Sequence, residues 1–158
     1  MMETWQIVLI ALAFPLLMAG MVVLVARIIS WMGWSKFAQH FRWDRPEPGN
    51  AERFGWQTMV VGSFPRAASY RNAMTVWLDD AGIYLRPSLF FRMFHPMLHI
   101  AWKDISAVEP RKLLALQSYK VSFVRDLPPL TMAGRSGESV LDRWSRRSNR
   151  QGSPGGPL

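Results

Sequence analysis

"LDDAGIYLRPSLFFRMFHPMLHIAWKDI", Leu78 to Ile105, decides the fold. Its opening reads as a hairpin. Just ahead of it, "SYRNAMTVWL" alternates: Tyr70, Met74, Val76 and Leu78 fall on one face, and Arg71, Ala73, Thr75 and Trp77 on the other. Period-two alternation marks a half-buried strand. "DDAG" is then a turn, with Gly82 available for a positive φ and the carboxylates of Asp79 and Asp80 placed to bond local backbone. "IYLR" returns as the second strand, Ile83 and Leu85 opposite Tyr84 and Arg86. At the far end, "IAWKDI" reads as a corner between two short strands, "MLHIAW" and "SAVEP".

Between hairpin and corner lies "SLFFRMFHPMLHI", which carries Arg92 and two histidines among Phe, Met and Leu. One reading packs its aromatic side chains into the sheet. The other makes it a contact loop, where Phe90, Phe91 and Phe94 dock and Arg86 and Arg92 meet phosphates or acidic groups. A small barrel needs large apolar side chains to fill it, so the core reading leads. Arg92 and one or two aromatics remain the candidate lipid or partner contact.

Working outward, "TMVVGSF" predicts a strand before the hairpin. "LLALQSYKVSFV" predicts another, with Tyr119, Val121 and Phe123 inward and Lys120 and Ser122 outward. "LPPLTMAG" predicts an edge strand, because prolines sit badly in central ones. "SGESVLDRWSRR" predicts a short helix with Ser136 as N-cap and Val140, Leu141 and Trp144 on one face. Residues 148–158 read as a disordered tail.

The N-terminal part differs in kind. Trp5 to Ala26 holds no charged residue. As a helix it would extend roughly 33 Å, which predicts a membrane anchor over residues 1–30. "MMET" before it carries no Lys or Arg, so a cleaved signal is disfavoured. Trp5, Trp31, Trp34 and Lys36 are the expected membrane-interface residues. Basic residues follow the span and only Glu3 precedes it. The positive-inside rule therefore predicts a cell (inner) membrane location, N-terminus outside and main domain cytoplasmic. Residues 31–50 read as a juxtamembrane amphipathic segment and linker. The segment lies on the membrane or packs on its own domain, and "RPEPGN" ends it.

The fold class expected is therefore mainly β with helices: an N-terminal transmembrane helix, then a small antiparallel β-barrel or sheet with a C-terminal helix. The order of elements resembles the bacterial pleckstrin-homology-like domains, including GRAM-like versions attached to transmembrane helices. Asp80, Gly82, Ile83 and Tyr84 match the family's hairpin, and Ile100, Trp102, Asp104 and Ile105 match its corner. Ala101 stands where the family usually has proline. The resemblance covers roughly residues 51–147. It implies a curved seven-stranded antiparallel sheet capped by a helix, and a binding or scaffolding role with no shared catalytic residues.

Composition bounds the chemistry. The 158-residue chain carries a formal charge of +8 and no cysteine. Cysteine nucleophiles and thiolate metal sites are excluded. His95 and His99 are four apart, yet Pro96 lies between them, so solvent-facing or packing histidines are expected instead of metal ligands. No catalytic set, metal site or cofactor is expected, and the chain is not read as an enzyme. The basic balance suits an acidic partner. Anionic lipid or a membrane protein partner fits it better than nucleic acid, since Trp144 alone interleaves the tail arginines. The expected function is a non-catalytic, membrane-anchored binding or scaffolding module. The alternative is an accessory subunit of an integral membrane protein complex.

Overall fold

The hairpin forms as its alternation requires. In the computed structural model, which describes residues 3–29, 33–63, 65, 67–92, 95–113 and 116–151, β2 (Ala68–Leu78) pairs antiparallel with β3 (Gly82–Pro87). Asp79 closes the turn, its Oδ1 accepting from the backbone N–H of Ala81 at 2.8 Å and of Gly82 at 3.0 Å. Gly82 does not take a positive φ. It is needed for space instead: a Cβ there would lie 2.1 Å from the carbonyl oxygen of Ile100 on the next strand.

That strand is β4 (Leu98–Ala101), and on the other side of the hairpin lies β1 (Glu52–Val61). A 3-10 turn, Trp102–Asp104, makes the expected corner into β5 (Ile105–Leu113), which pairs with β6 (Leu116–Phe123). The last strand, β7 (Leu130–Ala133), lies between β1 and β6, giving the order β4-β3-β2-β1-β7-β6-β5. It is not the edge strand that its prolines suggested. Pro128 and Pro129 precede the strand, so every ladder position still has its N–H donor.

Leu98 of one outermost strand and Val108 of the other belong to the same buried core, with Met59, Val76, Ile83, Val121 and Met132. The sheet thus curls around a single interior. The helix α3 (Arg135–Gln151) covers it with Val140 buried and Leu141 and Trp144 packed alongside. Ser136 is not its N-cap: it lies inside the first turn and is buried. Gly134, at φ 72°, precedes the helix, and its carbonyl accepts from the N–H of Glu138.

The segment before the sheet belongs to the core. The helix α2 (Ser35–Phe41) buries Phe37 and Phe41, and Phe37 meets Phe123 edge-on at 5.2 Å. Trp34 is 1% exposed, and its Nε1 donates to the carbonyl of Pro96. The chain then runs beside β4: Arg42 bridges Leu98, and the N–H of Trp43 donates to the carbonyl of Met97. Of the two readings of this segment, the structure adopts packing on its own domain, because successive turns of the segment carry aromatics that join the sheet's core.

Two parts of the expected fold class are corrected. The chain is a small mixed α/β domain, a curled seven-stranded antiparallel sheet with a C-terminal helix, an architecture compatible with a pleckstrin-homology-like fold. The membrane-crossing helix is overturned: among the described residues no helix is long and apolar enough to cross a membrane. Trp5–Ala26 does lie in a helix, α1 (Thr4–Ile29). The helix carries Arg27 in its last turn. Pro15 within it also removes a backbone donor. Leu12, Leu16 and Leu17 stand exposed along it.

Candidate binding surface

The connection between β3 and β4 builds the surface. Ser88 leaves β3 with its N–H held by the carbonyl of Ala73 at 2.7 Å. Leu89–Phe91 then form a 3-10 turn, closed by bonds from the N–H of Phe91 to Ser88 and from the N–H of Arg92 to Leu89. The run is therefore a turn and not a strand. Its composition is that of core, but its phenylalanines are too close together for one sheet face to accept.

A buried polar pair supports the turn from beneath. His95 Nδ1 lies 2.9 Å from the carbonyl oxygen of Phe91, and His95 Nε2 lies 2.9 Å from the hydroxyl of Tyr70. A carbonyl only accepts, so Nδ1 carries the proton and Nε2 accepts from Tyr70. Burial holds His95 below the usual histidine range, against the smaller upward pull of the Phe91 carbonyl. Burial also pushes the Tyr70 phenol well up. Both groups are thus neutral near pH 7. The rings of Trp34, Tyr70 and Phe91 surround His95.

Above this base stand the arginines. Arg86 pairs with Glu47, and burial and then the nearby charge of Arg92 lower its pKa. Arg92 is exposed and makes no ion pair among the described residues. Arg45 lies over the Trp43 ring at 5.3 Å. A recess of about 460 Å³ collects Arg45, Arg86 and Arg92 against Asp44 and Glu47. Arg42 already engages Asp44, so the recess keeps a cationic excess.

The structure thus brings together Arg86, Phe91 and Arg92 among the expected contacts. Phe91 faces inward on Tyr70 at 5.7 Å. Phe94, Trp31 and the side chain of Phe90 lie outside the described residues. Trp5 is exposed on α1 and Lys36 on α2, while Trp34 is interior.

One feature escapes the alternation pattern. Gly55 and Trp56 together oppose Thr75, a bulge in the β1–β2 ladder. Trp56 takes φ 55°, a left-handed backbone that bulky residues adopt only under constraint, and its side chain is 79% exposed. "FGWQ" held the clue, since glycine within a strand often marks a bulge. Beside the bulge Gln57 Nε2 donates to the Gly55 carbonyl, and at the next irregularity of the ladder the Asn72 N–H donates to Thr58 Oγ1. A second recess, about 200 Å³, lies between Trp56 and Leu89, with Arg53 and Arg92 on its wall. Arg92 lines both recesses.

The carboxylates elsewhere serve structure. Arg147 pairs with Asp80 and lies over Trp102, while Arg143 pairs with Glu52, fastening α3 to the sheet. Among the described residues no three His, Cys, Asp or Glu side chains gather as a metal site. No protein-family model matches the chain, and no curated protein matches it.

Proposed function

We propose that the chain is a non-catalytic pleckstrin-homology-like binding or scaffolding module that meets an anionic partner at the cytoplasmic face of the cell membrane. The partner is anionic lipid head groups or an acidic face of a membrane protein. The observation that carries this reading is the recess where Arg45 and Arg86 meet Arg92, the last of these held on a turn that a buried Tyr70–His95 pair supports. Cations held on a rigid base lose little freedom on binding. The test is sedimentation of the full chain with neutral and with anionic vesicles at low and high salt. Apolar α1 contributes equally to both vesicle types, so the anionic excess isolates charge. The expected result is a salt-sensitive excess, falling roughly fivefold for each of Arg86→Gln and Arg92→Gln. Equal binding to both vesicle types at every salt removes the lipid form of the reading.

A second reading, an accessory subunit of an integral membrane protein complex, is favoured by α1. Leu12, Leu16, Leu17 and Phe14 are exposed on it, an apolar surface larger than a lone chain usually leaves uncovered. Co-purification of a tagged full chain with a stoichiometric partner, lost when Leu12, Leu16 and Leu17 become serine, is its test.

A further inference from the structure

We infer that the recess between Trp56 and Leu89 is a binding site for a protein segment that presents one large apolar side chain next to a carboxylate. The inference rests on the protein-partner form of the reading above and names that partner's chemistry.

Four observations converge. Trp56 and Leu89 are 79% and 72% exposed, one on β1 and one on the 3-10 turn after β3, and both line one recess. Single exposed apolar residues are ordinary, but two lining the same cavity form a patch. Trp56 is held at φ 55° by a bulge whose neighbours are hydrogen-bonded into place. A tryptophan in that backbone is a cost to the fold, and such strain gathers at functional positions. The wall carries Arg53 and Arg92 and no carboxylate. Arg53 is occupied over the Trp77 ring at 6.0 Å, which leaves Arg92 as the cation for an incoming anion.

Size and shape choose the occupant. About 200 Å³ is below the usual range for a small-molecule or cofactor site. It accepts one large side chain. The recess is concave, whereas a bilayer is engaged by side chains that protrude from a convex surface. Asn72, Ala73, Met74 and Thr75 of β2 line it as well, so the occupant would lie beside β2. An aromatic or leucine side chain would seat between Trp56 and Leu89, with an adjacent Asp or Glu reaching the Arg92 guanidinium.

The test is fluorescence anisotropy of the full chain with a labelled, capped peptide of alternating Asp and Leu. One control peptide replaces Asp by Lys, and another replaces Leu by Ala. The expected result is saturable binding of the Asp/Leu peptide alone, weakened about tenfold by each of Trp56→Gly, Leu89→Ser and Arg92→Gln. Arg146→Gln, which breaks an ion pair within α3, leaves it unchanged. Trp56→Gly melts no lower than the parent, because glycine takes the left-handed backbone freely. Its loss of binding is therefore not a loss of fold. Equal binding of the Asp/Leu and Asp/Ala peptides, or full affinity in Trp56→Gly, overturns the site. So does Trp56-dependent capture of anionic vesicles without peptide binding. If no peptide binds while Arg86-dependent vesicle binding persists, the recess fails and the anionic-partner reading stands. Loss of both removes both.

Discussion

Tyr70 on β2 donates its hydroxyl proton to Nε2 of His95, 25 residues further along, across 2.9 Å. The bond ties the floor of the sheet to the turn that carries Arg92. It joins two groups whose burial disfavours charge on either. The pair is a neutral strut under a cationic surface.

Replacing Tyr70 by Phe removes the strut but little volume. It leaves His95 Nε2 buried with no donor, which costs about 1–3 kcal/mol. Urea denaturation of Tyr70→Phe measures this. A double variant with His95→Phe would lose less than the two single losses summed, because the orphaned nitrogen is then gone.

Acid weakens the same contact. The folded chain holds His95 below the ordinary histidine value, and burial does the same to His99 against the pull of Asp79 and Asp104. Below about pH 6.5 the unfolded chain therefore takes up protons that the folded chain refuses. Stability from these neutral rings is complete above that pH and is lost as pH falls through it. Denaturation midpoints between about pH 7.5 and pH 5.5 should fall on the acid side. His95→Gln should flatten that dependence, and a parent midpoint that holds or rises on acidification contradicts it.

Gly82 tests the hairpin. Alanine there meets the Ile100 carbonyl oxygen at 2.1 Å and the Ala101 Cα at 2.9 Å, both backbone atoms that cannot rotate away. Gly82→Ala should cost roughly 3 kcal/mol and spread β3 from β4. Hydrogen exchange on Ile83 and Leu85 would show the loosening. The contrast is Gly55, where a Cβ meets nothing within 4 Å.

Phe37→Ala tests whether α2 is core or linker. Phe37 lies against Phe123 and Phe41, so its truncation should cost about 3–5 kcal/mol. A free juxtamembrane segment would lose almost nothing. A fragment beginning at Glu47 should for the same reason fail to fold, since it lacks Trp34, Phe37 and Phe41.

The hairpin, the corner and the inward face of β6 were legible because their pattern is local. Alternation over Tyr70–Leu78 and an Asp-rich turn need no distant partner to be read. The place of β7 was not legible, since its neighbours β1 and β6 are chosen by the curl of the whole sheet. Phe37 and Phe41 carry a helical period that suits a lipid surface or a protein core equally, and only the open end of the sheet decides. Arg86 and Arg92 stand out in the sequence by chemistry alone, as cations beside a run of Phe, Met and Leu. Trp56 is hidden from a reading by period, because a bulge breaks the alternation that exposes the rest of the strand.

The docking of Trp34 and Phe37 has a consequence in time. Trp34 bonds to Pro96, 62 residues later, and Phe37 meets Phe123 on the sixth strand. A chain made from its N-terminus exposes these aromatics long before their seats exist. The domain cannot close its interior while β6 is still inside the ribosome. During that interval α2 and the first strands form an unfinished, sticky surface. Synthesis thus passes through a window in which a chaperone or a waiting partner has something to hold.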